Sequence, residues 1–171
     1  MKIEKFKDII EYYSMLPHPE GGYYCTVFDD PIEVLSDGTA LGRGTSRALW
    51  NNILFLIPYG SFSCFHRIPM NESWHFYRGD SMDFYEIDEN GDLSHSVLGS
   101  QILNGEKIVH VVAKRNWMAA RPRKGEFGYS LVGCLTCPGF LPNDLEIASS
   151  KKLISIAPKQ EKLINSLCRN N

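Results

Sequence analysis

No stretch of this chain is apolar for long enough to cross a bilayer as a helix, which takes ~20 consecutive residues. The first segment, MKIEKFKDIIEYYSML, comes nearest. Its apolar positions Ile3, Phe6, Ile9, Ile10 and Tyr13 recur at helical spacing, but charges interrupt them every few residues. It reads as an amphipathic helix, and as neither a signal peptide nor a membrane span. A cytoplasmic protein with no membrane partner is therefore expected. An excess of one charge is missing as well: 18 basic and 20 acidic residues leave a net charge of -2. That excludes the broad basic footprint of a nucleic-acid binder, so no nucleic-acid partner is expected. Arg115, Arg121, Arg123 and Lys124 form the one local basic group, and they flank a predicted turn, as a solvated hairpin tip would.

The five cysteines are odd in number, and without a secretion signal they read as free thiols. Cys134 and Cys137 have the CxxC spacing of redox and zinc sites, but no second CxxC and no nearby histidine completes a zinc set. They lie in YSLVGCLTCPGF, a predicted strand, where positions three apart point to opposite faces. Regular alternation of strand and helix is also absent, which excludes a doubly wound fold. Nor is there an internal repeat.

What is present is a series of short β-prone runs. With 43% hydrophobic and 12% aromatic residues the chain can build a core. A helix is expected over about 3–15, stopped by Pro17 and Pro19. PEGGYYCTVF then turns at Gly21–Gly22 into a strand, and residues 29–46 read as a loop or a long irregular hairpin. From Leu49 onward LWNNILFLI, SFSCFHRI, ESWHFYRG, MDFYEI, SHSVLG, KIVHVVA, WMAAR and FGYSLVGCLT follow at similar spacing, separated by Gly, Pro, Asn and Asp. That is the pattern of an all-β antiparallel sandwich or barrel. One domain is expected over 1–171, with the barrel over about 20–147 and C-terminal helices over about 148–168.

Three stretches, HPEGGYY at 18–24, SCFHRIPMNESWHFYRGD at 63–80 and LVGCLTCPGF at 131–140, resemble the small cupin family catalogued as cupin family five, long described as of unknown function. The likeness runs from about Leu16 to Glu146. It implies a double-stranded β-helix, the jelly-roll barrel of the RmlC-like cupin superfamily. The superfamily's first motif places two histidines, a glutamate and a glycine; here the matching residues are His66, Ile68, Glu72 and Gly79. The histidine of its second motif falls on Met118. Two of the four usual metal ligands are thus replaced by side chains that do not bind hard or borderline ions. The resemblance therefore implies no metal and no cofactor at that position. After the Gly-Gly-aromatic segment, members of the family commonly carry a glutamate and then an arginine; here Thr26 and Asp29 stand in their places.

If Glu72 faces the barrel interior, Trp74 and Phe76 share its face, while Ser73, His75 and Tyr77 face away. With His66 and Trp117 they would form an amphipathic cup for a small polar ligand of the sugar or nucleotide class. Arg67, Met118 and Glu20 complete the expected ligand-binding set, Arg67 as a further candidate partner for a buried Glu72. HPEGGYY is also similar to a segment of the dTDP-4-dehydrorhamnose 3,5-epimerases, which share the cupin fold and work without metal. That implies a metal-independent sugar or sugar-nucleotide epimerase or isomerase. His66 would be its base, poised by Glu72, and Tyr23 or Tyr24 the proton donor, with Tyr23 the first choice. The alternatives are a ligand-binding cupin without catalysis, and a metal-dependent cupin enzyme that recruits His110 or Cys64 beside His66 and Glu72. A homodimer is expected, because cupins usually pair and an open barrel edge needs cover.

Overall fold

The computed structural model describes residues 5–35 and 46–169. In chain order the elements are α1 (Phe6–Tyr12), β1 (Leu16–Pro17), β2 (Tyr23–Asp29), β3 (Glu33–Leu35), β4 (Ser46–Ala48), β5 (Asn51–Pro58), β6 (Ser63–Arg67) and β7 (Glu72–Gly79). Then follow β8 (Met82–Ile87), β9 (Leu93–Leu98), β10 (Val109–Val112), β11 (Trp117–Pro122), β12 (Tyr129–Thr136), β13 (Glu146–Ile147), α2 (Ser150–Ile156) and α3 (Glu161–Leu167). One sheet has the order β1-β2-β5-β12-β7-β10 and the other β13-β6-β11-β8-β9. Neighbouring strands within both are antiparallel. The two sheets form the antiparallel barrel that the strand pattern predicts, in the double-stranded β-helix arrangement that the family resemblance implies. Among the described residues no helix is long and apolar enough to cross a membrane.

Alternation along each strand divides the apolar residues between three cores. Phe55, Ile57, Trp74, Phe84, Met118, Ala120, Val132 and Cys134 point inward and fill the barrel. Inside it Phe55, Trp74 and Phe84 meet edge to face, with ring centroids 5.6 and 5.0 Å apart, contacts worth ~0.5–1.5 kcal/mol each beyond burial. Phe65, Trp117 and Ala119 point outward on the second sheet and are covered by α2 and α3 through Leu153, Ile164 and Leu167. Leu56, Tyr129 and Leu131 point outward on the first sheet and pack under α1 against Ile9 and Met15.

One expectation changes here. The first helix ends at Tyr12 rather than near 15, because Ser14 takes a left-handed conformation (φ 50°) and folds Met15 back into the core. Of the two readings of the polar stretch after β2, a loop or a long hairpin, the described residues form a two-stranded hairpin, which is no change of expectation: Glu33–Leu35 pairs Ser46–Ala48, while its connection, 36–45, lies outside the described residues, as does the expected helical start at Ile3.

The glycines of two quoted motifs have structural roles. Gly79 (φ 103°) lets β7 approach β12 so closely that a Cβ would sit 2.2 Å from the Tyr129 carbonyl oxygen. Asp80 beside it accepts from the backbone N–H of Phe127 and Gly128, at 3.0 and 2.7 Å, and so fixes the turn before β12. At Gly21 (φ 123°) a Cβ would lie 2.1 Å from the Phe62 carbonyl oxygen. The same turn is stitched to β6 by the Cys64 N–H, which donates to the Glu20 carbonyl at 2.9 Å.

Candidate functional site

A cavity of about 220 Å³ opens into the barrel between the two sheets. The glycine turn before β2 carries His18 and Glu20 into it, and β2 adds Tyr24, Thr26 and Asp29. Asn51 and Ile53 come from β5, His66 from β6, Glu72 from β7, and Cys134 and Thr136 from β12. Ile68, Phe140 and Leu145 supply apolar wall. The Asn51 amide is held in place: its oxygen accepts from Thr136 Oγ1 at 2.7 Å and from the Phe140 N–H at 3.2 Å, and its nitrogen donates to the Phe140 carbonyl at 3.1 Å.

His66 is the centre of the charged groups. Its Nδ1 lies 2.8 Å from the Cys64 carbonyl oxygen and 2.6 Å from Glu20 Oε2. A carbonyl oxygen can only accept, so Nδ1 carries the hydrogen and Nε2 is the nitrogen left for the cavity. Both partners are buried. Burial works against a charged imidazole, but the Glu20 charge and hydrogen bond, with Glu72 adding, raise His66 to about 9. Burial likewise pushes Glu20 up, and the contact with His66 overcomes it, so Glu20 stays below its ordinary value of 4.5. Glu72 differs. Burial dominates there and holds its carboxyl at about 7, with His66 and the neighbouring Trp74 side chain opposing and Glu20 adding. Its Oε2 is buried with no hydrogen-bond partner. His18 sits 3.3 Å from Glu20 Oε1 and edge-on to Tyr24; burial lowers its pKa against the pull of Glu20. Burial keeps the Cys134 thiol well above its ordinary value of 9.0, hence protonated and no nucleophile.

Of the residues singled out from the sequence, the structure brings His66, Glu72 and Glu20 together on the cavity wall. Trp74 and Phe76 do share the inward face of β7 with Glu72, but they pack in the barrel core, as does Met118, the strand partner of His66. Ser73 and His75 point the other way and hydrogen-bond each other at 2.6 Å. Three placements are corrected, each by one residue of strand alternation. Trp117 adjoins inward-facing Met118, so it faces out, under α2 and α3. Arg67 adjoins His66 and faces out too, with its guanidinium 4.4 Å from the Trp117 ring centre and its Nε 2.7 Å from Glu146. Tyr23 packs against the outer core beneath α1, and its neighbour Tyr24 lines the cavity. His110 Nε2 donates to the Glu86 carboxylate at 3.0 Å and is absent from the cavity wall. The sequence reading missed His18, Thr26, Asn51 and Thr136 as wall residues; His18 and Thr26 share the side of the turn and strand that holds Glu20 and Tyr24.

The donor set does not fit the metal that the wider superfamily holds. Ile68 and Met118 stand where imidazoles would, and Nδ1 of His66 is committed to Glu20 and Cys64. Among the described residues no three His, Cys, Asp or Glu side chains are grouped to hold an ion.

A double-stranded β-helix whose inward glutamate and histidine come from the two strands of a His-x(5)-Glu-x(6)-Gly block is the architecture of the cupins. Residues 7–148 match the family described as Cupin superfamily (DUF985), and the chain belongs to that family. It is similar to a solved protein from Shewanella oneidensis, at 29% identity and a TM-score of 0.86 over 98% of this chain and 99% of that one. A hypothetical protein from Leishmania major matches at 25% identity and a TM-score of 0.87, over 98% and 100% of the two chains. A cupin-2 domain from Rhodospirillum rubrum, at 9% identity, TM-score 0.55 and coverage of 90% and 87%, shares the fold. No curated protein sequence matches the chain.

Proposed function

We propose that the cavity binds a small polar molecule and moves a proton on it without a metal, as an epimerase or isomerase does. The observation that carries this reading is Glu72: a half-buried residue on the cavity wall whose Oε2 is enclosed and unpartnered, held at about 7, beside the His66–Glu20 pair. A base poised near the working pH and an acid fixed in one tautomer are what proton transfer beside a carbonyl requires. The roles differ from the expectation that His66 is the base. With Nδ1 tied to Glu20 and a pKa of about 9, His66 is protonated at neutral pH and serves as the acid at Nε2. Glu72 takes the proton from carbon, and His66 gives one to the carbonyl oxygen, leaving a neutral enol. Glu72 then returns its proton to the adjacent carbon while the neutral His66 takes the hydroxyl proton from the oxygen that becomes the new carbonyl, which completes an isomerisation and restores both groups. Return to the opposite face of the same carbon, an epimerisation, needs a third donor, and Tyr24 is the phenol in the wall.

The test is deuterium incorporation at carbon when carbonyl sugars are incubated with the protein in deuterated water. Removing a general base costs ~10²–10⁴-fold in rate, so Glu72→Gln should lose at least a hundredfold while keeping its fold. Wild-type exchange rates in that variant, or a bound sugar that never exchanges, would overturn the catalytic reading; the latter would leave a binding cupin.

A further inference from the structure

We infer that the ligand of this cavity is an uncharged polyhydroxylated molecule of monosaccharide size, and that phosphorylated and nucleotide-linked sugars are refused. This rests on the cavity being the ligand site, as proposed above, and is independent of the proton transfer.

The first ground is charge. The wall carries three carboxyl groups, Glu20, Asp29 and Glu72, and among its described residues no lysine or arginine. Its cation, His66, is already in contact with Glu20 at 2.6 Å. Phosphate sites are built from arginine forks, lysines or helix N-termini. The arginines nearest in the chain to wall residues are engaged elsewhere: Arg67 with Glu146 outside the barrel, and Arg47 with Asp144 and the Gly139 carbonyl. A phosphate carries ~1.5–2 negative charges at neutral pH and would meet three carboxyl groups with, among the described wall residues, no lysine or arginine to offset them.

The second ground is hydrogen-bond polarity. The buried Glu72 Oε2 has no partner and asks for a donor. The Asn51 oxygen is already taken twice, by Thr136 and by the Phe140 N–H. Carboxyl oxygens therefore dominate what the wall still offers, which suits hydroxyl groups. Ile53, Ile68 and Phe140 provide apolar surface for the C–H face of a ring. The third ground is size: about 220 Å³ lies below the ~300 Å³ at which pockets for drug-sized ligands begin. The nucleoside diphosphate of a linked sugar would have to lie outside it, beside the carboxylate of exposed Asp29.

The experiment is calorimetry on the full chain with free aldoses and ketoses of five and six carbons, their terminal phosphates, and UDP- and dTDP-linked sugars. The expected result is that at least one free sugar binds and that its phosphate binds at least tenfold more weakly. Asp29→Asn, at an exposed position, should narrow that ratio at least threefold. Equal or tighter binding of a phosphate or nucleotide sugar, an unchanged ratio in Asp29→Asn, or no free sugar bound at millimolar concentration each overturns the inference. Its fate separates from that of the catalytic reading. A free sugar that binds without deuterium exchange defeats only the latter, and exchange on a sugar phosphate defeats only the former.

Discussion

A carboxyl group drawn partly out of water, with one oxygen enclosed and unpaired, holds its proton more tightly in the folded chain than in the unfolded one, and Glu72 is such a group. Its ordinary value of 4.5 is raised to about 7. The stability this proton binding contributes is complete below 4.5 and is lost as pH rises through 7. His66 acts in the same direction over a higher window. Raised from 6.5 to about 9, it contributes fully below 6.5 and loses the contribution as pH rises through 9. Glu20, lowered, opposes them only under acid conditions, losing its contribution as pH falls below 4.5. His18, lowered by burial, works the other way and adds stability as pH rises toward 6.5, so the urea midpoint should fall clearly from about pH 6.5 to 9. In Glu72→Gln the lower leg should flatten while the upper leg remains. A flat wild-type profile over that range would mean the two groups titrate as exposed ones do. Glu20→Gln should bring the His66 pKa down by at least one unit, read from its ring proton in NMR, since the contact that raises it is the one removed.

At the scale of the element, β7 and β8 were legible to the residue, because ESWHFYRG and MDFYEI are bounded by turn residues and alternate cleanly. The sequence also located the site's strands, through the spacing of His66, Glu72 and Gly79. What it left open was the face. A motif says which strand carries a group, but facing is set by register with a partner strand, and a slip of one residue inverts it. That is why Tyr23, Arg67 and Trp117 were each assigned to the lumen beside the neighbour that belongs there. His66 and Met118 are strand partners, so their outward neighbours Arg67 and Trp117 meet on the opposite surface. Trp117→Ala should accordingly cost ~3–5 kcal/mol of stability and leave sugar binding by the folded fraction unchanged, as calorimetry below the melting temperature will show. Gly21→Ala should do more. With Phe62 backbone in the way the turn that delivers Glu20 must move, so ligand binding and at least ~1 kcal/mol of stability should be lost together.

For the whole molecule, the helices cover the outward apolar residues of each sheet unequally. α2 and α3 shield Phe65, Trp117 and Ala119, so a chain ended at Ser149 should expose that core and come out aggregated, as its soluble fraction will report. On the first sheet α1 covers one end, while Val27, Tyr77, Val109 and Val111 stay exposed. We propose that a second copy of the chain covers them and the β10 edge. Sedimentation should give twice the chain mass at micromolar concentration; a monomer at every concentration would reject this.

The division of each strand between an inward and an outward core has an evolutionary reading. The residues that hold the barrel to its helices are not those that meet the ligand, although they alternate in the same few segments. A change of an inward side chain therefore need not disturb the joints between sheet and helix. Lineages built on this scaffold are free to trade one reaction for another while their shape stands still, and kinship in form will outlast kinship in activity.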